Sequence, residues 1–279
     1  MKSQVSYAVQ RMIRIPMHSD LLWEAARHFN EICCRQRHSI MRKRARREIA
    51  SHIERREILS GPFTGMKYAE EAAVGSSLWP KLVGTYESEL QPFISDITQT
   101  GYQKIIDIGY AEGYYLVGLG RLFQQAELIG FDCELEAQRL CKANAEINGI
   151  EEDRLKLFGA FDREQFQQSL GEEKTLVVVD CEGTENDVVG GLNREQLLAA
   201  DWLIETHDHL VEGTTERLSK VFKETHELQE VVTDEDNETK VRLLPDSVKQ
   251  SCDAYVQQVL VSEDRKSQQF WIFAKRKAA

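Results

Sequence analysis

The chain has no run of eighteen or more apolar residues, and its opening segment MKSQVSYAVQRMIRIPM carries a charge in nearly every short apolar stretch. Both a membrane-spanning helix and a secretory h-region are excluded on that pattern, so the expected location is cytoplasmic. The six cysteines, Cys33, Cys34, Cys133, Cys141, Cys181 and Cys252, contain no C-x-x-C pair. That argues against zinc ligation and a dithiol redox motif, and predicts reduced, mostly buried thiols. Internal repeats and long low-complexity stretches are missing as well, which excludes solenoids and arrays.

What is present is enough chain, 279 residues at 42% hydrophobic composition, to bury the core of a large α/β enzyme. The net charge of -11 conceals an asymmetry: residues 1–60 hold 13 Lys/Arg against 6 Asp/Glu, and the rest holds 22 against 40. From Asp20 to about Leu59 there is no Gly or Pro, a Ser19/Asp20 capping pair stands in front and Gly61-Pro62 follows, so this stretch predicts a helix. Its centre, Arg42 to Arg47, could meet an anionic surface, or it could be a solvated face. No aromatics are interleaved with these charges, which disfavours single-stranded nucleic acid as a partner. Residues 61–94 read as a Gly- and aromatic-rich loop able to cover a pocket, then a helix from about Ser77. The expected division is an N-terminal helical extension or cap, 1–95, and a second domain, 96–279.

From Lys104 the pattern changes to short apolar runs, KIIDIG, ELIGFD, LKLF, TLVVVD and DWLIET, separated by amphipathic stretches such as EAQRLCKANAEIN. Alternation of this kind predicts parallel βαβ units in a doubly wound sheet. An acidic stretch, Thr233 to Glu238, and a final strand, QFWIFAKR, follow.

The chemistry concentrates where strands end. Gly109 and Gly113 follow KIIDIG and precede the helical YYLVGLGRLF, a turn in which glycine lets the backbone approach a ligand. Asp132, at the end of the next strand, stands where a carboxylate accepts both ribose hydroxyls. A dinucleotide fingerprint fails because Ala111 and Tyr114 occupy its second and third glycine positions, and no Gly-Lys-Ser/Thr supplies a Walker loop. Asp107, two residues before the first glycine, instead suits a cofactor bearing positive sulfonium and amino groups.

DIGYAEGYY, residues 107–115, resembles motif I of class I S-adenosylmethionine-dependent methyltransferases, most closely the D-I-G-x-x-x-G-Y-Y form of the FkbM family. VVVDCEGTENDVVGGL resembles that family's I-D-V-E-G-A-E signature, and IETHDH is similar to its following E-x-H segment. The resemblance implies a Rossmann-like α/β fold with a seven-stranded sheet, mostly parallel with the last strand antiparallel, and S-adenosylmethionine as cofactor. It further implies that Asp107, Gly109 and Gly113 line the methionine end, Asp132 holds the ribose, and Ala160 and Phe161 border adenine. Tyr114 and Asp180 complete the expected cofactor set. The sequence departs from the family pattern at Tyr110-Ala111-Glu112, which leaves Tyr110 and Glu112 without assigned roles.

Asp180, Cys181 and Glu182 close the fourth strand; Glu205 to His209 close the fifth. Alternate residues of an extended chain share a face, so Asp180 and Glu182, and Glu205 and His207, converge if the strands are neighbours. A hydroxyl acceptor gains from losing its proton during displacement at the methyl carbon, and His207 or Glu182 is the candidate base, with Asp180 and Glu205 beside it. No metal ligand is assigned, although oxygens of Asp180, Glu182 or Glu205 could alternatively hold Mg²⁺. The expected activity is O-methylation of a hydroxyl on a sugar or other small-molecule acceptor. The rivals are an N-methyltransferase of nucleic acid or protein, and a non-catalytic scaffold that keeps the fold. Against nucleic acid stands Asp180-Cys181-Glu182-Gly183, where base-methylating enzymes carry Asp/Asn-Pro-Pro-Tyr/Phe.

Overall fold

The computed structural model describes residues 20–234, 236–265 and 267–277. The Ser19 half of the expected capping pair lies outside the described residues. Two compact units meet in sequence at Glu48/Ile49. In the first, helix α1 (Asp20–Glu48) carries the basic run, with Arg44 paired to Glu48 one turn on at 2.6 Å. No described helix is long and apolar enough to cross a membrane.

The helical reading to Leu59 overshoots. A single turn, α2 (Ala50–Ile53), is the last helical piece, and Arg56 is in the left-handed region at φ 49°. Beyond it Glu57 bridges antiparallel to Lys67, and the Ile58 amide donates to the Met66 carbonyl at 2.8 Å. Ile58, Met66 and Tyr68 are all buried, so tertiary burial captures a stretch whose local composition favours helix. Two further helices, α3 (Leu78–Val83) and α4 (Gln91–Thr100), lead to the sheet.

Strands β1 (Lys104–Ile108), β2 (Glu127–Phe131), β3 (Leu155–Phe158), β4 (Thr175–Val179) and β5 (Ala200–Thr206) pair in parallel; β7 (Phe270–Arg276) runs antiparallel between β5 and β6 (His226–Val232). The order is β3-β2-β1-β4-β5-β7-β6, the seven-stranded sheet with antiparallel last strand that the resemblance implied. The crossovers are α5 (Tyr114–Leu122), α6 (Leu135–Ile147), α7 (Arg163–Ser169), the pair α8 (Glu185–Val189) and α9 (Arg194–Leu198), and α10 (Thr214–Phe222). Before β7 come α11 (Asn237–Leu243), α12 (Asp246–Ser251) and α13 (Ala254–Val261).

Both faces of the sheet are covered. On one, Ile106, Ile129, Val177, Trp202 and Ile272 pack with Phe166 of α7, Val188 of α8 and Phe222 of α10. On the other, Ile105, Leu128, Leu176, Leu203 and Phe273 are buried, with Phe93 of α4 against Phe273 at 5.7 Å between centroids. Strands buried on two faces read as near-continuous apolar runs, which is why β1, β2, β4 and β5 are visible in the sequence, while β3, LKLF, is a partly exposed edge strand marked by its three apolar residues. β6 is not: HELQEVV is an edge strand that exposes Glu227, Gln229 and Glu230, so its composition matches a polar connection. The thiols depart from expectation too. Cys141 is buried, whereas Cys33 and Cys133 are exposed, and Cys181 and Cys252 are half-buried.

Candidate active site

The strand order reverses between β1 and β4, and beyond their carboxyl ends lies a cleft of about 1010 Å³. Asp107, Gly109, Tyr110, Tyr114, Asp132 and Phe161 line one part of it. Gly109 has φ +88°, and a Cβ there would stand 1.7 Å from the Asp180 carbonyl oxygen, so only glycine lets the β1 loop pass β4. Gly113 caps α5. Asp107 is buried, and its Oδ2 has no hydrogen-bond partner. Burial, and then the charges of Asp180 and Asp132, hold its carboxyl well above the usual carboxylate range. A buried carboxylate oxygen on a cleft wall is matched by a cation, and the ammonium and sulfonium of S-adenosylmethionine fit it.

Asp132 holds the adjoining loop: Oδ2 accepts the Ala111 amide at 2.8 Å and Oδ1 accepts the Glu134 amide at 2.8 Å. Each oxygen keeps a lone pair able to accept a further hydrogen bond. Ala160 and Phe161 line the cleft after β3, with Phe161 edge-on to Phe131 at 5.7 Å. Tyr114 is enclosed by Phe63 at 5.1 Å and Tyr86 at 5.2 Å, both edge-on.

The residues left without roles anchor this loop. Glu112 is fully buried; it pairs with Lys81 at 2.5 Å, accepts the Val74 amide at 3.0 Å and the Tyr68 hydroxyl at 3.3 Å. Residues 68–81 are thereby fastened to the loop between β1 and α5, and Val74, Gly75, Ser76 and Lys81 form a cleft wall. Tyr110 packs its ring where a side chain on Gly130 would be, 2.5 Å from that glycine's missing Cβ.

At the other part of the cleft, β4 and β5 are paired neighbours and the acidic strand ends converge. His207 Nε2 lies 3.7 Å from Asp180 Oδ1, 3.6 Å from Glu182 Oε2 and 3.6 Å from Glu205 Oε2. Glu182 arrives there by a different route from strand alternation. β4 has ended at Val179, and Glu182 is turned back by a left-handed backbone at φ 49°, a conformation that costs a non-glycine residue of order 1 kcal/mol. The His207 side chain is 0% exposed, whereas that of Glu182 is 70% exposed. Nδ1 of His207 bonds Glu185 Oε1 at 2.6 Å, and Nε2 has no partner. Burial disfavours charge on this imidazole, but the Glu185 bond and the fields of Asp180, Glu185 and Glu182 outweigh it and raise its pKa. Burial also lifts the Cys181 thiol to about 12, which removes a thiolate from consideration.

No family model matches the chain, and no curated protein matches it. Among solved structures it is similar to an O-methyltransferase from Bacillus cereus in complex with SAH, at 12% identity and TM-score 0.44, over 68% of this chain and 81% of that one. It is also similar to cofactor-bound Rv0187 from MTB, at 13% identity and TM-score 0.44, over 75% and 85%. A third is M. capricolum TrmK in complex with S-adenosyl-homocysteine, at 9% identity and TM-score 0.42, over 66% and 67%.

Several cleft residues escape a reading of the sequence. Arg265 donates to Glu205 Oε1 at 2.7 Å and Glu263 Oε2 at 2.8 Å and also pairs with Glu87, whose other oxygen accepts the Tyr115 hydroxyl. Nothing local ties Arg265 to the cleft, because Glu205 and Glu87 are distant from it in sequence. Glu185, fully buried behind the cleft, has a local signal, since it stands three residues after Glu182 in VVVDCEGTENDVVGGL. His209 also lines the cleft. By contrast His226 is a core residue, bonded to the Ala200 carbonyl at 3.0 Å.

Proposed function

We propose that the chain is an S-adenosylmethionine-dependent methyltransferase that methylates a hydroxyl oxygen of a sugar or other small metabolite. The observation that carries this reading is the unpartnered, buried Asp107 carboxyl on a cleft whose other end is lined by Asp180, Glu182 and Glu205, with His207 buried behind them. When bound, S-adenosylmethionine supplies an electrophilic methyl group.

Asp107 offers its free oxygen to the cofactor's positive groups, Asp132 accepts the ribose hydroxyls, and Phe161 with Ala160 gives the adenine an apolar edge. The wall held by Lys81 and Glu112 limits water around the methionine end. Of the two candidate bases, Glu182 is the accessible one and takes the acceptor's proton, while buried His207 orders the carboxylates around it. Proton acceptance by a positioned group contributes about 10²–10⁴-fold.

The test is incubation of the full chain with methyl-labelled S-adenosylmethionine and fractionated host extract. Label should enter a hydroxyl-bearing small-molecule fraction with the wild-type chain, and Glu182→Gln should slow transfer about 100-fold or more at unchanged cofactor affinity. Label confined to nucleic acid or protein, or none at all while cofactor binds, would reject the reading.

A further inference from the structure

We infer that Asp180, Glu205 and His207 form a site for a divalent metal cation of the manganese-to-zinc range. The first observation is geometric. One donor atom from each of Asp180, Glu205 and His207 lies within 4.8 Å of the others. The separations from His207 Nε2 to the carboxylates, 3.6–3.7 Å, are too long for hydrogen bonds. They approach the spacing of about 3–3.5 Å that neighbouring ligands take around an ion with arms near 2.1 Å.

The second observation is independent of the acids. His207 Nε2 is fully buried, has no partner and is aimed into the carboxylates. Glu185, equally buried, holds Nδ1 at 2.6 Å, the outer-sphere carboxylate that orients metal-binding histidines and leaves the other nitrogen to coordinate. Charge balance agrees. Glu87, Glu205 and Glu263 already share Arg265, so Asp180, Glu182 and Glu185 face His207 with no cationic side chain of their own among the described residues.

One imidazole among carboxylates selects a transition-series divalent ion over Ca²⁺ or Mg²⁺, which take all-oxygen shells. Asp180 and Glu205 also line the cleft, so the ion's open positions face it. Resting on the methyltransferase reading, this site would receive the acceptor's hydroxyl oxygen and lower its pKa.

The experiment uses the full chain, stripped with EDTA and titrated with Mn²⁺, following free Mn²⁺ by electron paramagnetic resonance. One tight ion per wild-type chain is expected, weakened at least tenfold in Asp180→Asn and in His207→Gln. Glu185→Gln, altering a positioning residue, should weaken it about 10–100-fold. In nitrogen-15 spectra of the wild-type protein, bound Zn²⁺ should shift His207 Nε2, a readout that does not depend on any variant folding. No ion bound by folded wild-type chain at millimolar Mn²⁺ or Zn²⁺, or equal affinity in both ligand variants, overturns the site. Calorimetry with S-adenosylmethionine separates the two claims: metal bound without cofactor binding leaves the site standing and rejects the methyl donor, and the converse rejects the site alone.

Discussion

Asp107 illustrates a residue kept against its own stability. Its folded pKa is raised above the ordinary value of 3.8, so the folded state binds a proton more tightly than the unfolded chain does. The associated stability is present below pH 3.8 and is lost as pH rises through the folded pKa. Asp107→Asn is therefore expected to melt above the wild type at pH 8, with the gap closing as pH falls toward 4, while binding S-adenosylmethionine at least tenfold more weakly. Calorimetric melting at several pH values and a cofactor titration check both halves. Gly109 is constrained by shape. Gly109→Ala adds a methyl against the Asp180 carbonyl in a left-handed backbone, and should lower unfolding free energy by about 3 kcal/mol or more, read from urea melts.

Among elements, the segment preceding β1 depends on one buried ion pair. Lys81 and Glu112 are both almost fully buried, and removing one partner leaves an unpaired charge. Lys81→Met should cost about 3–5 kcal/mol in urea melts. Lys81→Met combined with Glu112→Gln should recover much of that loss, and protease should then cut first within residues 68–80. The same elements show what is legible in the sequence. β1 to β5 announce themselves as apolar runs, and their ends carry Asp107, Asp132, Asp180, Glu205 and His207, because a parallel sheet sets its ligands at strand ends. Lys81–Glu112, Arg265–Glu205 and Glu185–His207 join separate segments, and no local pattern encodes such pairings. β6, half-exposed at the sheet edge, lacks the apolar run that marks its neighbours.

For the molecule as a whole, acidity is stored near the cleft and its β7 side. Glu89 adds to it: burial, only partly offset by Lys240, lifts its carboxyl to about 7, and neither of its oxygens has a partner. Because that value is raised from 4.5, the stability it confers is complete below pH 4.5 and is lost as pH rises through about 7. Glu89→Gln should consequently stabilise the protein at pH 8.5, by about 3 kcal/mol at most, and change nothing near pH 4. Denaturant melts at the two pH values decide it.

The proposed function requires the β1/β4 crevice to take a cationic adenosine cofactor through Asp107 and Asp132. Isothermal calorimetry of the full chain with S-adenosylmethionine tests it most directly. One site per chain is expected, with affinity falling at least tenfold in both Asp107→Asn and Asp132→Asn. Absence of binding at millimolar cofactor, or binding unchanged in both variants, would contradict it.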